Sequence, residues 1–309
     1  MKREKVSSAQ SGPDASVKPV LRRLLPPLAA MLLVLAGGFV AAIGIEQKGR
    51  LNDSGRRVTQ ETSGFLARTL REQTRTLAAL AEVLTRDATL RGALKARDRE
   101  RLLAAYGPVF ARLKADHGLA ALNFYDADRV CLLHVLHPET HGERSERFTM
   151  LEAQRTGKTA SGLELAPAGG FTLRLVRPVY DGGALVGYME HVMAIEDILA
   201  GIQRQAGVEL AVALPTHGLE RAGWDWGMQQ LGRHADWDRF AGVVLIYSSL
   251  SPFPAEAGRF VGESASNHGE ATAETRFRGK TWRLMALPLV VASGAKVGDL
   301  IVLYDISAL

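Results

Sequence analysis

Residues 24–45 contain no Asp, Glu, Lys or Arg, and the run LAAMLLVLAGGFVAAIGI after Pro26 and Pro27 has about the ~20 residues a helix needs to cross a bilayer. Before it, Lys2, Arg3, Lys5, Lys18, Arg22 and Arg23 outweigh Glu4 and Asp14. Positive charge is retained on the cytoplasmic side of a membrane. Residues 1–23 are therefore expected to be a cytoplasmic basic tail and 24–45 a single transmembrane helix of the inner membrane, with the bulk of the chain periplasmic or extracellular. The competing reading is a cleaved signal peptide, with Ala42 and Gly44 ahead of the cut, but its basic region and apolar run are long for that role. Both readings export everything from Glu46 onward.

Export constrains the single cysteine, Cys131, which cannot close an internal disulfide. In the apolar run VCLLHVL it reads as a small buried hydrophobe. The 309 residues, 47% hydrophobic and 23% charged, suffice for one large domain or two modest ones. A net charge of +5 without a basic stripe interleaved with aromatics, which make up 6% of the chain, argues against nucleic acid as a partner.

Residues 46–117 have almost no strand signal and read as a long helical stalk. Leu51, Val58 and Phe65 stand seven apart, and Leu66, Leu70, Leu77, Leu80 and Leu84 continue the stripe after a phase shift. Such a stripe packs on a downstream sheet, on a twin helix in a homodimer, or on both. A second helical piece is expected over 98–116. After Gly118 the period changes to two: strands at 119–125 and 130–136 flank the turn DADR, and a short helix covers 148–155. Strands follow at 162–165, 171–180 and 184–195, the last two joined by the hairpin DGG, and a helix covers 196–206. Residues 118–206 thus form a five-stranded antiparallel module. Residues 207–309 repeat the order on a smaller scale, with a strand at 208–214, a Gly-, Trp- and Ser-rich stretch to about 269, and strands at 271–278, 282–290 and 297–307. Trp224, Trp226, Trp237 and Phe240 are expected to make a small core under that stretch. The expected fold class is α+β, with an N-terminal transmembrane helix, a long helix and two antiparallel-sheet modules.

Three histidines, His134, His137 and His141, crowd one loop. Strand alternation places His134 and Leu136 on one face and His137 on the other, so a three-histidine metal site requires the strand to end at Pro138, with Glu139 or Glu143 as further ligands. No metal and no cofactor are expected, and His137 and His141 read as solvated loop residues. Arg174, within the apolar strand FTLRLVR, cannot be buried without an anion. Glu190 across the hairpin is one partner; a ligand carboxylate or phosphate held by Arg174 and Arg147 together is the other, and the two are compatible. Phe124, Tyr125, His134, Tyr180 and Tyr188 supply candidate pocket walls. GxSxG, HExxH and a phosphate-binding Gly-rich loop are missing from the sequence, so no enzymatic activity is expected.

The segments RFTMLEA (147–153), TGKTASGLEL (156–165) and GFTLRLVRPVYDGGALVGYME (170–190) resemble the double Cache sensor domain of bacterial sensor kinases and chemoreceptors. The resemblance implies a signalling helix carrying two PAS-like modules, the membrane-distal one (118–206) forming a small-molecule pocket and the proximal one being 207–309. It further places Arg147 and Thr149 at RxT, Phe171 and Arg174 at FTLR, Tyr180 at the hairpin, and Tyr188 and Glu190 at GYxE, and implies pocket roles for all of these but Phe171. At LLHVLHP the chain departs from the pattern, with His134 where an arginine is expected and Leu136 near where a histidine is expected. The implied function is a sensory domain for transmembrane signalling of two-component or chemotaxis type. It binds a small organic anion, and its output domain or partner protein is supplied outside this chain. The alternative is a membrane-tethered solute-capture protein without signalling output.

Overall fold

The computed structural model describes residues 17–166, 169–230, 236–266 and 271–307. The expected basic tail lies largely outside the described residues, as do most side chains of the expected transmembrane segment. Among the described residues no helix is long and apolar enough to cross a membrane. The chain divides into two compact units, Met1–Ser54 and Gly55–Leu309, and the long helix α1 (Val17–Thr85) contributes to both.

Within the second unit α1 lies against β structure along one stripe. Gly55, Thr59, Thr62, Leu77 and Ala81 are buried along this stripe, at spacings that keep them on one helical face. The Thr59 hydroxyl lies 3.2 Å from the Met285 sulfur, and Glu82 pairs with Arg177. Two aspartates then cut the helical region. Asp87 caps α2 (Ala88–Ala96) by accepting from Thr89 N, and Asp98 caps α3 (Arg99–His117) by accepting from Arg101 N. Three helices thus occupy the stretch read from the sequence as a stalk with one later piece. Gly118, at φ 66°, ends α3 in the left-handed conformation that glycine adopts without strain.

The first sheet contains β1 (Leu119–Tyr125), β2 (Cys131–His134), β3 (Ala160–Leu165), β4 (Phe171–Asp181) and β5 (Ala184–Ala194), in the spatial order β2-β1-β5-β4-β3 and antiparallel throughout. Helix α4 (Phe148–Thr156) precedes β3, and α5 (Ile195–Ala206) leads out of the sheet. The second sheet contains β6 (Glu209–Pro215), β7 (Val243–Ser248), β8 (Thr272–Phe277), β9 (Lys280–Val290) and β10 (Lys296–Asp305), ordered β7-β6-β10-β9-β8. The two sheets therefore share one topology. The second is not the smaller copy expected: β7, with helices α6 (Arg221–Gln230) and α7 (Gly258–Ser266), lies in the stretch read as irregular.

The repeat reaches single residues. A Cβ added to Gly187 on β5 would sit 2.3 Å from the Tyr125 carbonyl oxygen, and one added to Gly298 on β10 would sit 2.3 Å from that of Ala213. Each glycine precedes the residue paired with the C-terminal part of its sheet's first strand, where the two backbones approach too closely for a side chain. VGY and VGD are the trace of this in the sequence.

Of the expected tryptophan cluster, Trp224 is buried with its ring 6.2 Å from that of Trp237, and Phe240 packs on Phe253. Trp226 is exposed, because residues two apart on a helix point to different sides.

Candidate functional site

Strand pairing sets a row of polar side chains across one face of the first sheet. His134 on β2 is opposite Asn123 on β1, which is opposite Glu190 on β5. One step along, Arg174 on β4 is opposite Val192 on β5 and Gly162 on β3. Side chains two apart share a face, so Glu164, Arg174, Glu190, Asn123, Tyr125 and His134 all belong to this side. The opposite side is apolar; there Phe124 meets Tyr106 of α3, and Leu122 and Leu175 flank His191.

Above the polar face lies a cavity of about 840 Å³. Its floor includes Asn123, Tyr125, His134 and Arg174; Leu136, Phe148 and Leu165 add apolar wall. The segment 143–147 forms one rim, and Val291, Ala292, Ser293 and Val297, from the β9–β10 hairpin of the second sheet, form another. The hairpin is fastened there, since Ala292 N donates to Leu163 O at 2.8 Å. Gly162 makes the approach possible, because a Cβ on it would lie 2.7 Å from that of Ala292.

Glu190 is the hub of the floor. It is fully buried and accepts from Arg174 Nη1 at 2.7 Å, from Asn123 Nδ2 at 2.8 Å and from the Tyr125 hydroxyl at 3.0 Å. Burial alone pushes its carboxyl up, but Arg174, the Asn123 donor and more distant Arg147 outweigh burial and hold it below the usual carboxylate range. Arg174 is held above its ordinary value because the attraction of Glu190 and Glu164 exceeds the effect of burial. Burial and the neighbouring Glu190 charge raise the Tyr125 phenol well above its ordinary value. The floor is thus a neutralised ion pair carrying a neutral phenol and an amide.

Glu164 does a different task. Its carboxylate accepts from Thr149 N at 2.7 Å, in the first turn of α4, where orphan backbone donors and the helix dipole favour an anion. Arg147, the N-cap residue of α4, makes no side-chain cap. Its Nη1 lies 3.9 Å from Glu164, too long for a hydrogen bond, and its side chain is 32% exposed at the cavity wall.

Of the residues singled out in the sequence, Tyr125, His134, Arg147 and Arg174 line the cavity, and Glu190 lies directly beneath. Phe124, Thr149, Tyr180 and Tyr188 do not line it. Thr149 is buried and meets the site only through its backbone N–H. Tyr188 shares the face of Glu190 but lies farther along it, packed with Met150 and Ala153 of α4. Tyr180 follows a register shift in β4 and donates to Gly157 O. Strand β2 ends at His134, so His134, Leu136 and His137 all border the cavity, against the alternation expected. Sequence reading missed Asn123, Glu164 and the distant hairpin, and named Glu143 only as a further ligand of a three-histidine site. Asn123 in LNFY and Glu164 in GLEL carried the same signal as Arg174, a polar residue within an apolar strand.

Beside the floor, His134 Nε2 lies 2.5 Å from Glu143 Oε1. Burial raises the Cys131 thiol far above its ordinary value, and the nearby Glu143 carboxylate adds to the rise. Glu143 itself stays below the usual carboxylate range: burial opposes this, but its backbone donor and His134 prevail.

A family model described as the double sensory domain of two-component sensor kinases matches residues 57–309. No curated protein matches the chain. Among solved structures, the sensor domain of the Vibrio cholerae histidine kinase DctB aligns with 13% identity and a TM-score of 0.47, over 84% of this chain and 98% of that one. The periplasmic domain of V. cholerae LuxQ aligns with 14% identity and a TM-score of 0.46, over 79% and 98%. The ligand-binding domain of the Campylobacter jejuni chemoreceptor Tlp3, solved with 4-methylisoleucine, aligns with 8% identity and a TM-score of 0.40, over 81% and 91%. With the family match spanning both sheets and most of the helical region before them, the chain belongs to the double Cache family, the double sensory domain of two-component sensor kinases.

Proposed function

We propose that the chain is a membrane-anchored, extracytoplasmic sensory domain whose first module binds a small organic molecule through a carboxylate end, for transmembrane signalling of two-component or chemotaxis type. The observation that carries the ligand reading is Arg147, which among the described residues has no hydrogen-bonded carboxylate partner and faces a cavity of about 840 Å³ where Tyr125, Leu136, Phe148, Leu165 and Val297 supply apolar and aromatic wall among the polar groups. Arg174 is engaged by Glu190 and acts as the strut of the floor, so the anion contact falls to Arg147. The hairpin from the second sheet supports a route for the signal, because whatever fills the cavity presses on both modules.

The test is a thermal-shift screen of organic acids, amino acids and amines on the full chain in detergent. Carboxylates should raise the midpoint, and Arg147→Ala should weaken their binding by roughly 10- to 100-fold, the worth of a charge-assisted hydrogen bond pair. Hits confined to amines or neutral compounds, or undiminished binding by Arg147→Ala, would remove this assignment.

Anchoring rests on the uncharged run 24–45, where Met31, Leu32, Leu35 and Phe39 are each at least 60% exposed on α1 and need an apolar surrounding. In intact spheroplasts, protease should digest the sheet modules and spare residues 1–23; the reverse pattern refutes the topology. Dimerisation through α1 rests on Val58 and Phe65, which keep part of their surface uncovered. In the same membranes, cysteines placed at Val58 and Phe65 should crosslink in preference to their neighbours, and equal crosslinking along the helix means there is no defined seam.

A further inference from the structure

We propose that Cys131, His134 and Glu143 bind one transition-metal ion of the zinc class at the rim of the cavity. One ligand atom of each residue lies within 4.8 Å of the others. The site goes beyond the organic-ligand reading and does not depend on it.

The fold builds the cluster by two devices. Residues three apart on a regular strand face opposite ways, yet Cys131 and His134 share a side, because the register shift opposite Phe124 and Tyr125 makes Leu132 an extra residue. Glu143 is then pinned alongside: Cys131 N donates to Glu143 O at 2.8 Å, and Gly142 N donates to Cys131 O at 2.9 Å. The three ligands therefore stand on two hydrogen-bonded backbone segments, a preorganised arrangement.

The hydrogen-bond chain from the cavity floor settles the state of His134. Glu190, paired with Arg174, is an acceptor, so Asn123 must turn its Nδ2 toward Glu190. The Asn123 Oδ1 atom then faces His134 Nδ1 at 2.9 Å, and Nδ1 carries the proton. This leaves the Nε2 lone pair facing a carboxylate oxygen at 2.5 Å. Two acceptors that close are held together only by a cation between them, either an extra proton or a metal ion. A ring whose Nδ1–H is fixed by a carbonyl while Nε2 points at the ion is the arrangement found around bound zinc.

The donor set selects the ion. Thiolate, imidazole and carboxylate together suit zinc and its neighbours, whereas magnesium and calcium take oxygen ligands. Tetrahedral zinc sets ligand atoms about 3.3 Å apart or a little more, so the His134–Glu143 contact opens by under about 1 Å. The Glu143 side chain, 53% exposed, is the one that yields. The ion takes the place of the thiol proton and of the proton shared by His134 and Glu143; both leave to solvent and no electron moves. Because His134 and Glu143 border the cavity, the fourth position is open to it. His137, paired with Glu139 at 3.4 Å, and exposed His141 take no part.

The experiment uses the full chain without a polyhistidine tag, stripped with chelator and titrated with Zn²⁺ against a chromophoric competitor, then with Co²⁺ followed by absorption. One ion per chain should bind more tightly than about 1 µM, within the range of three-ligand sites, and Co²⁺ should show a thiolate charge-transfer band. Cys131→Ser and His134→Ala should weaken Zn²⁺ binding at least 100-fold and Asn123→Ala about 10-fold, while His137→Ala and His141→Ala leave it unchanged. Glu143→Gln, on an exposed side chain, tests the site if the buried substitution fails to fold, and it too should weaken binding at least 10-fold. Binding weaker than about 100 µM, a Co²⁺ spectrum without the thiolate band, or Zn²⁺ affinity unaltered in Glu143→Gln and His134→Ala would overturn the proposal.

Discussion

Arg174→Ala is expected to cost about 3–5 kcal/mol of folding stability at pH 7 to 8, because it leaves the Glu190 carboxylate fully buried with only neutral donors. The sign of the pH dependence distinguishes this from lost packing. In the wild type, Glu190 titrates below its unfolded value, so its stabilising share is present above about pH 4.5 and is lost as pH falls through the folded pKa. Without Arg174 the dominant influence is burial, which raises the carboxyl. The deficit of the variant against wild type should therefore be greatest near pH 8 and narrow toward pH 5. Adding Glu190→Gln removes the uncompensated charge and should recover most of the loss at pH 8. Denaturant midpoints at the two pH values check both statements. A deficit independent of pH and untouched by Glu190→Gln would mean that Arg174 stabilises by its bulk alone.

That ion pair also marks what sequence can and cannot convey about such a site. An arginine and a glutamate in apolar strands joined by a DGG hairpin meet because the hairpin fixes register and alternation fixes the face, and both rules are local. The same rules place β1, β4 and β5 closely. They are silent on how far a covering helix reaches, and so Tyr188, on the correct face, lies under α4 instead of in the cavity. They fail at register shifts: Cys131 and His134 are brought together by the extra residue Leu132, and no alternation pattern contains that information. The hairpin at 291–297 is invisible for a third reason. It reaches the cavity from another sheet, and contacts between distant segments leave no period in the chain. Asp98 opens the second helical piece that the sequence suggests, whereas Asp87, an equally legible residue type for a helix cap, stands in an Ala- and Leu-rich stretch that reads as continuous helix and hides the break before α2.

His191 carries the second large effect. It lies on β5 between Leu122 and Leu175 on the helix-covered side of the first sheet, fully buried, and neither ring nitrogen has a hydrogen-bond partner among the described residues. Burial lowers its pKa to about 4 from 6.5, against the opposing pull of Glu190 one residue before it. Between these values the unfolded chain binds a proton that the folded chain refuses. Stability is therefore whole above pH 6.5, declines as pH falls, and is reduced by about 3 kcal/mol near pH 4, at ~1.4 kcal/mol for each pH unit between the two values. His191→Leu, of similar volume, should remove this decline and add about 1–3 kcal/mol at pH 7, since a buried polar ring without partners is replaced by an apolar side chain. Glu190 loses stability lower, below about pH 4.5, so the interval from pH 6.5 to 5 isolates the histidine. Equilibrium unfolding across that interval is the measurement. A His191→Leu variant that keeps the wild-type slope would place the acid sensitivity elsewhere in the fold and leave the buried ring without a thermodynamic role.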